Sequence, residues 1–563
     1  MNAGVRLVIA FTIALATSAG AADVGGESAP DPHIHHVLVN QVGYNSEWPK
    51  RFTAPISPDG SRFELTEVRS GRVVATGEVK AGVGDFTAFD PQSDAGEYVV
   101  RVVGGGLAAG TSFPFRVGPK LIQRLASEPA LRFMIDSRSI VGTHPSAYGG
   151  CPWRDGNYYT FEVPSLVLLY MSQPAFFDAL PAEIDFAAEK RRVLDPAFNW
   201  VRADGDADAL GTARHYFQEL DPPVGGRVPD IVRLIHWGIG WYLIHPKSHD
   251  PTGDVAGNRI HDQTVEQFAF YLYAHPTMQQ YFTPAFHQRA HDFAFDQWEK
   301  VGLLKVNTKI GDVKGRSCPG HSIFPNLLMY EVAGREGRDD ARRFLDAAVA
   351  QAQWVVETLD PANPKIGKGQ RISEHKLITG LALLAGKYSA QAPPGLRDWL
   401  GRWAIVMTER SDNMYDFRKY DRENWTVPKP YNEPGNIAAF PAIALAVAAV
   451  LPDGPERLRL RQIAAGHFDN LFGRNPLNAA GGQDAAAFPG IDRPWPVKYP
   501  PDLCARLELC RGTLNSCAAT EHYPFQPQAG GFRHSEGWVA FNADLNVGLA
   551  YAWGDGKPLD HHR

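Results

Sequence analysis

Cysteine is scarce in this chain, at five in 563 residues. None stands in a C-x-x-C pair, which argues against a zinc knuckle. Cys504, Cys510 and Cys517 cluster late in the chain, while Cys151 and Cys318 stand alone. An odd number leaves one thiol outside any pairing, and spacing does not say which. An excess of positive charge is also missing. The formal net charge is −6, so there is no basic footprint for nucleic acid. No hydrophobic run reads as a membrane span. The stretch Leu7 to Ala16 is too short for one, and "NIAAFPAIALAVAAVL" is interrupted by Pro441 and reads as a buried helix. There is no G-x-S-x-G elbow and no H-E-x-x-H pair. The glycines of "GVGDFTAFD" and "VVGGGLAAG" lie among strand-like segments without a following helix, so no phosphate-cradling loop is expected. The acidic "ADGDADALG" offers Asp204, Asp206 and Asp208, but Ala209 occupies the glycine position an EF-hand needs.

What is present is a globular composition, 44% hydrophobic and 21% charged, in a chain long enough for about two to four domains. Aromatics make up 11%, with 13 Trp. Such rings fill cores and also serve as stacking platforms for sugars. The first residues carry one Arg, an apolar run and the small triplet Ala19-Gly20-Ala21. This is the pattern of a cleaved export signal over 1–22, predicting a secreted or periplasmic protein. Residues 23–35 read as a polar linker.

Residues 36–118 are expected to be all β. Short segments such as "RFELTEV", "RVVATGEV" and "EYVVRVV" are rich in β-branched and aromatic residues and are separated by Gly, Pro, Asp and Ser turns, which predicts a small sandwich. From 119 to 563 the pattern changes to about a dozen helix-period segments with little strand signal. Helices in that number suggest a toroid of helical hairpins with the functional loops on one rim. Two stretches, near 179–228 and 476–536, look irregular and too long for plain connectors, which marks them as functional loops.

Several motifs then occur in a telling order: "VLVNQVGY" (37–44), "SFPFRVG" (112–118), "RSIVG" (138–142), "GGCPWRDGNYYTFEVP" (149–164), "VPDIVRLIHWGIGWYLI" (228–244), "FGRNPLN" (472–478) and "SEGWVAFNADLNVGLAYA" (535–552). In this order the chain resembles glycoside hydrolase family 9, the cellulase-type family with an N-terminal immunoglobulin-like domain. The resemblance implies an immunoglobulin-like sandwich followed by an all-α (α/α)6 barrel that cleaves β-glycosidic bonds with inversion. It implies an oligo- or polysaccharide substrate and no required cofactor, with a structural calcium as an option. It says nothing of oligomeric state. Inverting hydrolysis needs a carboxylic acid to protonate the leaving oxygen and a carboxylate to activate water, roughly 6.5–9.5 Å apart.

Glu536 matches the family's general acid, with Asn542 six residues on. The base position departs from the pattern. Where the family has Asp-Ala-Gly-Asp, this chain reads Arg154-Asp155-Gly156-Asn157, and an amide takes no proton from water at neutral pH. Three readings stay open. Asp155 serves as base; or the base comes from elsewhere, with Asp204, Asp206, Asp208 or Glu521 beside His522 as sources; or hydrolysis is lost and the domain binds glycans or does other chemistry. Trp153 is the stacking candidate. Arg154, Asn157, Tyr158, His522, His534 and Asn542 are the remaining candidate sugar contacts. Arg154 either pairs with a neighbouring carboxylate or holds an acidic substituent of the substrate. With Asn157 and Tyr158 or Tyr159 it could also serve a β-eliminating lyase.

Overall fold

A computed structural model describes residues 37–91, 93–104, 110–142, 151–153, 161–199, 204–247, 259–310, 318–364, 375–424, 433–474 and 539–560. The expected export signal (1–22) and linker (23–35) lie outside the described residues.

The N-terminal part is a small β-sandwich. Its strands are β1 (Tyr44–Asn45), β2 (Arg51–Thr53), β3 (Arg62–Glu67), β4 (Val73–Glu78), β5 (Val83–Asp85), β6 (Glu97–Val103), β7 (Gly110–Thr111) and β8 (Phe115–Gly118). One sheet runs β1-β8-β6-β3-β4 with β7 paired to β6, and β2 and β5 form a separate antiparallel pair. Period-two alternation sets the inner face. Phe63 and Leu65 of β3 lie opposite Val102 and Val100 of β6, and all four are buried. Tyr44, Phe52, Phe86 and Phe115 fill the space between the layers.

The rest of the described chain is helical. The helices are α1 (Leu121–Asp136), α2 (Glu162–Ser172), α3 (Pro174–Ala179), α4 (Phe186–Leu194), α5 (Asp204–Glu219), α6 (Asp230–Ile244), α7 (Asp262–Met278), α8 (Pro284–Lys300), α9 (Ile323–Arg335), α10 (Arg342–Thr358), α11 (His375–Lys387), α12 (Leu396–Arg410), α13 (Glu433–Ala448), α14 (Pro455–Leu471) and α15 (Val539–Trp553). Six of them close a ring, each packed on the next in the order α2, α7, α9, α11, α13, α15 and back to α2. Outside the ring, α1, α6, α8, α10, α12 and α14 lean on it. This is an (α/α)6 barrel. The sequence of each layer shows why. Outer α10 buries Phe344, Leu345, Ala348, Gln351, Ala352 and Val355, a single stripe at helical spacing. Inner α2 buries every residue from Glu162 to Ser172, as a helix with neighbours on all sides must.

The expectation of an irregular stretch over 179–228 is corrected. It holds α4 and α5, and the acidic cluster opens α5 rather than sitting in a loop. The physical reason is a short apolar stripe. Ala209, Leu210, Ala213, Tyr216 and Phe217 are buried at spacings of one, four, seven and eight, which fixes a helix behind its acidic start. Asp208 stays exposed on α5, 3.4 Å from His245 Nε2.

The sandwich is locked to the barrel by a buried ionic junction. Arg51 on β2 places Nη1 2.8 and 2.7 Å from the two oxygens of Asp416. Arg474, after α14, binds the same carboxylate at 2.9 Å, and Arg459 on α14 contacts it as well. Thr53 donates to Arg474 O at 2.6 Å, and Asn40 donates to Asp469 at 2.9 Å. Burial opposes ionisation of Asp416, but Arg474, Arg51 and Arg459 together hold its carboxyl below the usual range. Asp469 goes the other way. Burial pushes it up to about 7, against the pull of Arg474.

Candidate active site

The six inner helices all begin at the same mouth of the barrel, because residues at or near their N-terminal ends touch. Phe161, at the start of α2, has its ring 4.8 Å from that of His375, the first residue of α11, and 5.3 Å from Phe270 of α7. Lys376 of α11 sets Nζ 5.2 Å over the Phe161 ring, donates to Gln263 of α7 at 2.6 Å, and lies 3.6 Å from Glu266. His321, two residues before α9, places Nδ1 2.6 Å from Glu266. Asp544 of α15 places an oxygen 3.0 Å from His375 Nε2. Gly435 in the first turn of α13 lies against Asp544, so a Cβ there would sit 2.7 Å from its other oxygen. Parallel N-termini bring six positive helix ends to one place, which favours carboxylates there.

Burial sets the electrostatics of this mouth. Glu266 and His321 are almost wholly enclosed. Burial pulls the imidazole of His321 down, but Glu266 and Asp262 outweigh it and push it up to about 10. His321 is therefore a fixed cation. Asp262 resists burial through hydrogen bonds to His261 and His321, which hold its carboxyl well below the usual range. His261 Nδ1 is 2.8 Å from Asp262. The mouth thus encloses paired charges beside the Phe161 and Phe270 rings.

Of the candidates from sequence, Trp153, Asn542 and Asp208 lie among the described residues, as does the backbone of Asp204 and Asp206. Trp153 is a correction. It is 1% exposed, its indole N–H donates to Met134 O at 2.8 Å, and its ring presses on Gly238 of α6, where a Cβ would stand 2.9 Å from it. Neither face is open to stack on a sugar. Its peptide instead pins the chain ahead of α2, bridged to Arg138, whose guanidinium pairs with Glu189. Trp237 Nε1 donates to the adjacent Pro152 O at 2.8 Å. Asn542 is fully buried on α15. Glu536, Asp155, Arg154, Asn157, Tyr158, His522, His534 and Glu521 lie outside the described residues, as do Cys504, Cys510, Cys517 and the stretch 476–536. The backbone of Asp204 and Asp206 belongs to the start of α5.

Sequence reasoning missed Asp262, Glu266, His321, His375, Lys376 and Asp544. The signal was there in "HDQTVEQ", "GHSIF", "SEHKLI" and "NADLN": a charged or imidazole residue at the opening of an otherwise apolar helix. Among the described residues no three His, Cys, Asp or Glu side chains are grouped so as to hold a metal ion. No described helix is long and apolar enough to cross a membrane.

Residues 33–105 match the cellulase N-terminal immunoglobulin-like domain. No curated protein sequence matches the chain. Solved structures of similar fold include AaCel9A in complex with cellobiose-like isofagomine, 14% identical, TM-score 0.57, with 92% of this chain and 99% of that one covered. A family 9 glycoside hydrolase of Bacteroides ovatus is 14% identical with a TM-score of 0.54, over 93% of this chain and 99% of that one. A metagenome-derived glycoside hydrolase family 9 endoglucanase is 15% identical with a TM-score of 0.53, over 92% and 99%. The chain therefore carries a cellulase-type N-terminal immunoglobulin-like domain and, over nearly its whole length, the fold of the family 9 endoglucanases.

Proposed function

We propose that this chain is an exported glycoside hydrolase, a divergent member of family 9, that cuts β-glycosidic bonds in an oligo- or polysaccharide. The observation that carries the reading is the mouth where all six inner helices begin, in a fold shared from end to end with endoglucanases. Glu536 is the general acid and Asp155 the base in this proposal. Chain connectivity supports both. Glu536 stands three residues before α15, which keeps its Cα within about 11 Å of Val539. Asp155 stands two residues after the pinned Trp153, within about 7 Å. The acid donates its proton to the leaving oxygen. The base takes a proton from a water that attacks the anomeric carbon from the opposite face.

Arg154 favours a second reading. A cation where the resembling family keeps an aspartate suits a substrate bearing a carboxylate or sulfate. Digestion of a panel of neutral and acidic β-glycans, followed by reducing-sugar release, tests both. Release from neutral glycans supports the first reading. An unsaturated, ultraviolet-absorbing product identifies a lyase, and binding without release identifies a glycan-binding protein. Glu536→Gln is expected to lower turnover by about 10²–10⁴-fold while glycan binding survives, and full activity in that variant overturns the acid assignment. Asp155→Asn at full activity removes Asp155 as the base.

A further inference from the structure

Four histidines among the described residues are buried to 3% exposure or less: His236, His321, His375 and His467. In three of them both ring nitrogens are used. His236 Nδ1 meets the Tyr216 hydroxyl at 2.6 Å and Nε2 meets Asp221 O at 2.9 Å. His467 Nδ1 meets Ile463 O at 2.9 Å, and its Nε2 accepts from Arg418 N at 3.3 Å. His321 Nδ1 meets Glu266 at 2.6 Å, and its Nε2 faces the Asp262 carboxylate at 3.5 Å. His375 differs. Its Nε2 meets Asp544, but its Nδ1 is buried with no hydrogen-bond partner. Leaving a polar atom enclosed and unsatisfied costs about 1–3 kcal/mol, and such an atom in a native structure calls for a reason.

The surroundings supply one. Nε2 faces the Asp544 carboxylate and donates to it, and in the neutral imidazole this tautomer leaves Nδ1 as a bare acceptor. Asp544 retains 15% of its side-chain exposure, so the pair has an open edge. Gly435 leaves room for that carboxylate, since any side chain there would meet it. The Phe161 ring forms the apolar wall beside the imidazole. An oriented acceptor, a carboxylate and an aromatic edge together match one hydroxyl-bearing face of a sugar ring.

We propose that His375 and Asp544 form the floor of a sugar subsite, with His375 Nδ1 accepting a hydrogen bond from one substrate hydroxyl and Asp544 orienting the imidazole. This rests on the glycoside hydrolase reading above. The residues are binding groups for the substrate and exchange no covalent bond with it.

The test pairs variants with substrate analogues. On a glycan that the parent protein hydrolyses, His375→Ala is expected to raise KM about tenfold and change kcat less than about threefold, roughly the weight of one hydrogen bond. Asp544→Asn, nearly isosteric, should raise KM by less and keep the melting temperature. A set of monodeoxy oligosaccharides then identifies the hydroxyl. One analogue should bind the parent about tenfold more weakly than the full sugar, yet bind His375→Ala as well as the full sugar does. Nitrogen NMR of the ligand-free protein should show His375 Nδ1 unprotonated. The proposal is overturned if parent and His375→Ala lose the same factor on every analogue, or if Nδ1 carries a proton in the free and bound states. A parent protein that takes no glycan at all overturns the functional reading and this inference with it, an outcome separate from the first two.

Discussion

The domain junction and the barrel mouth both bury several charges, yet they are built to different ends. At the junction, Asp416 is enclosed by Arg51, Arg459 and Arg474, drawn from the sandwich, α14 and the turn after it. The forked guanidiniums saturate the carboxylate, although Arg474 Nε stays buried without a partner. At the mouth, Glu266, Asp262, His321 and Lys376 pair in a similar way, but the neighbouring His375 keeps one nitrogen spare. Burial of charge is therefore a poor marker of a site by itself. Unused hydrogen-bonding capacity alone is no better, since Arg474 Nε at the junction is also unused; what sets His375 apart is that its spare acceptor lies where six helix N-termini meet.

Breaking the junction should give the largest loss of stability. Asp416→Ala leaves three guanidiniums facing one another with only the longer contacts to Asp469 and Asp85, at 3.8 and 4.0 Å, and breaking the buried pair this way costs about 3–5 kcal/mol. A fall in melting temperature with KM unchanged in the surviving folded protein is the expected result. A rise in KM well below the melting transition would mean that the junction feeds the mouth, and the separation drawn between the two regions would fail.

Titration sharpens the comparison, since each region has its own pH window. His321 is raised from 6.5 to about 10. Its contribution to stability is complete below pH 6.5 and is lost as pH rises through about 10. Asp469 is raised from 3.8 to about 7. Its contribution is complete below pH 3.8 and is lost as pH rises through about 7. Thermal melts across pH should therefore show His321→Asn differing most in pH dependence from the parent between 6.5 and 10, and Asp469→Asn between 3.8 and 7. Swapped windows would show that the two clusters are coupled rather than separate.

Much of the fold was legible because it is written in periodicity. Alternation in "RFELTEV" gives a strand with Phe63 and Leu65 inward, and the stripe of α10 gives an outer helix. The mostly apolar runs of α2 and α15 mark inner helices for the same reason. The start of α5 was not legible, because its acidic residues read as loop chemistry while its apolar stripe begins only at Ala209. The proposed site was legible in part. Glu536 and Asp155, the proposed acid and base, stand out by their motifs and lie outside the described residues, whereas His375 and Asp544 are 169 positions apart, and only the closing of the ring brings them together. Trp153 misled for a related reason: a tryptophan beside glycines looks the same in sequence whether its ring faces a cleft or a core.

That last ambiguity yields the smallest expected effect. Trp153→Phe keeps an aromatic ring against Gly238 but removes the donor to Met134 O. A buried carbonyl left without its partner costs about 1–3 kcal/mol, so the melting temperature should fall modestly. If the indole only anchors the chain ahead of α2, KM for a glycan substrate stays at the parent value, since phenylalanine still fills the space. A stacking platform would behave in the opposite way, with KM rising and the melting temperature holding. Measured together, the two quantities assign Trp153 to the barrel's packing or to its cleft.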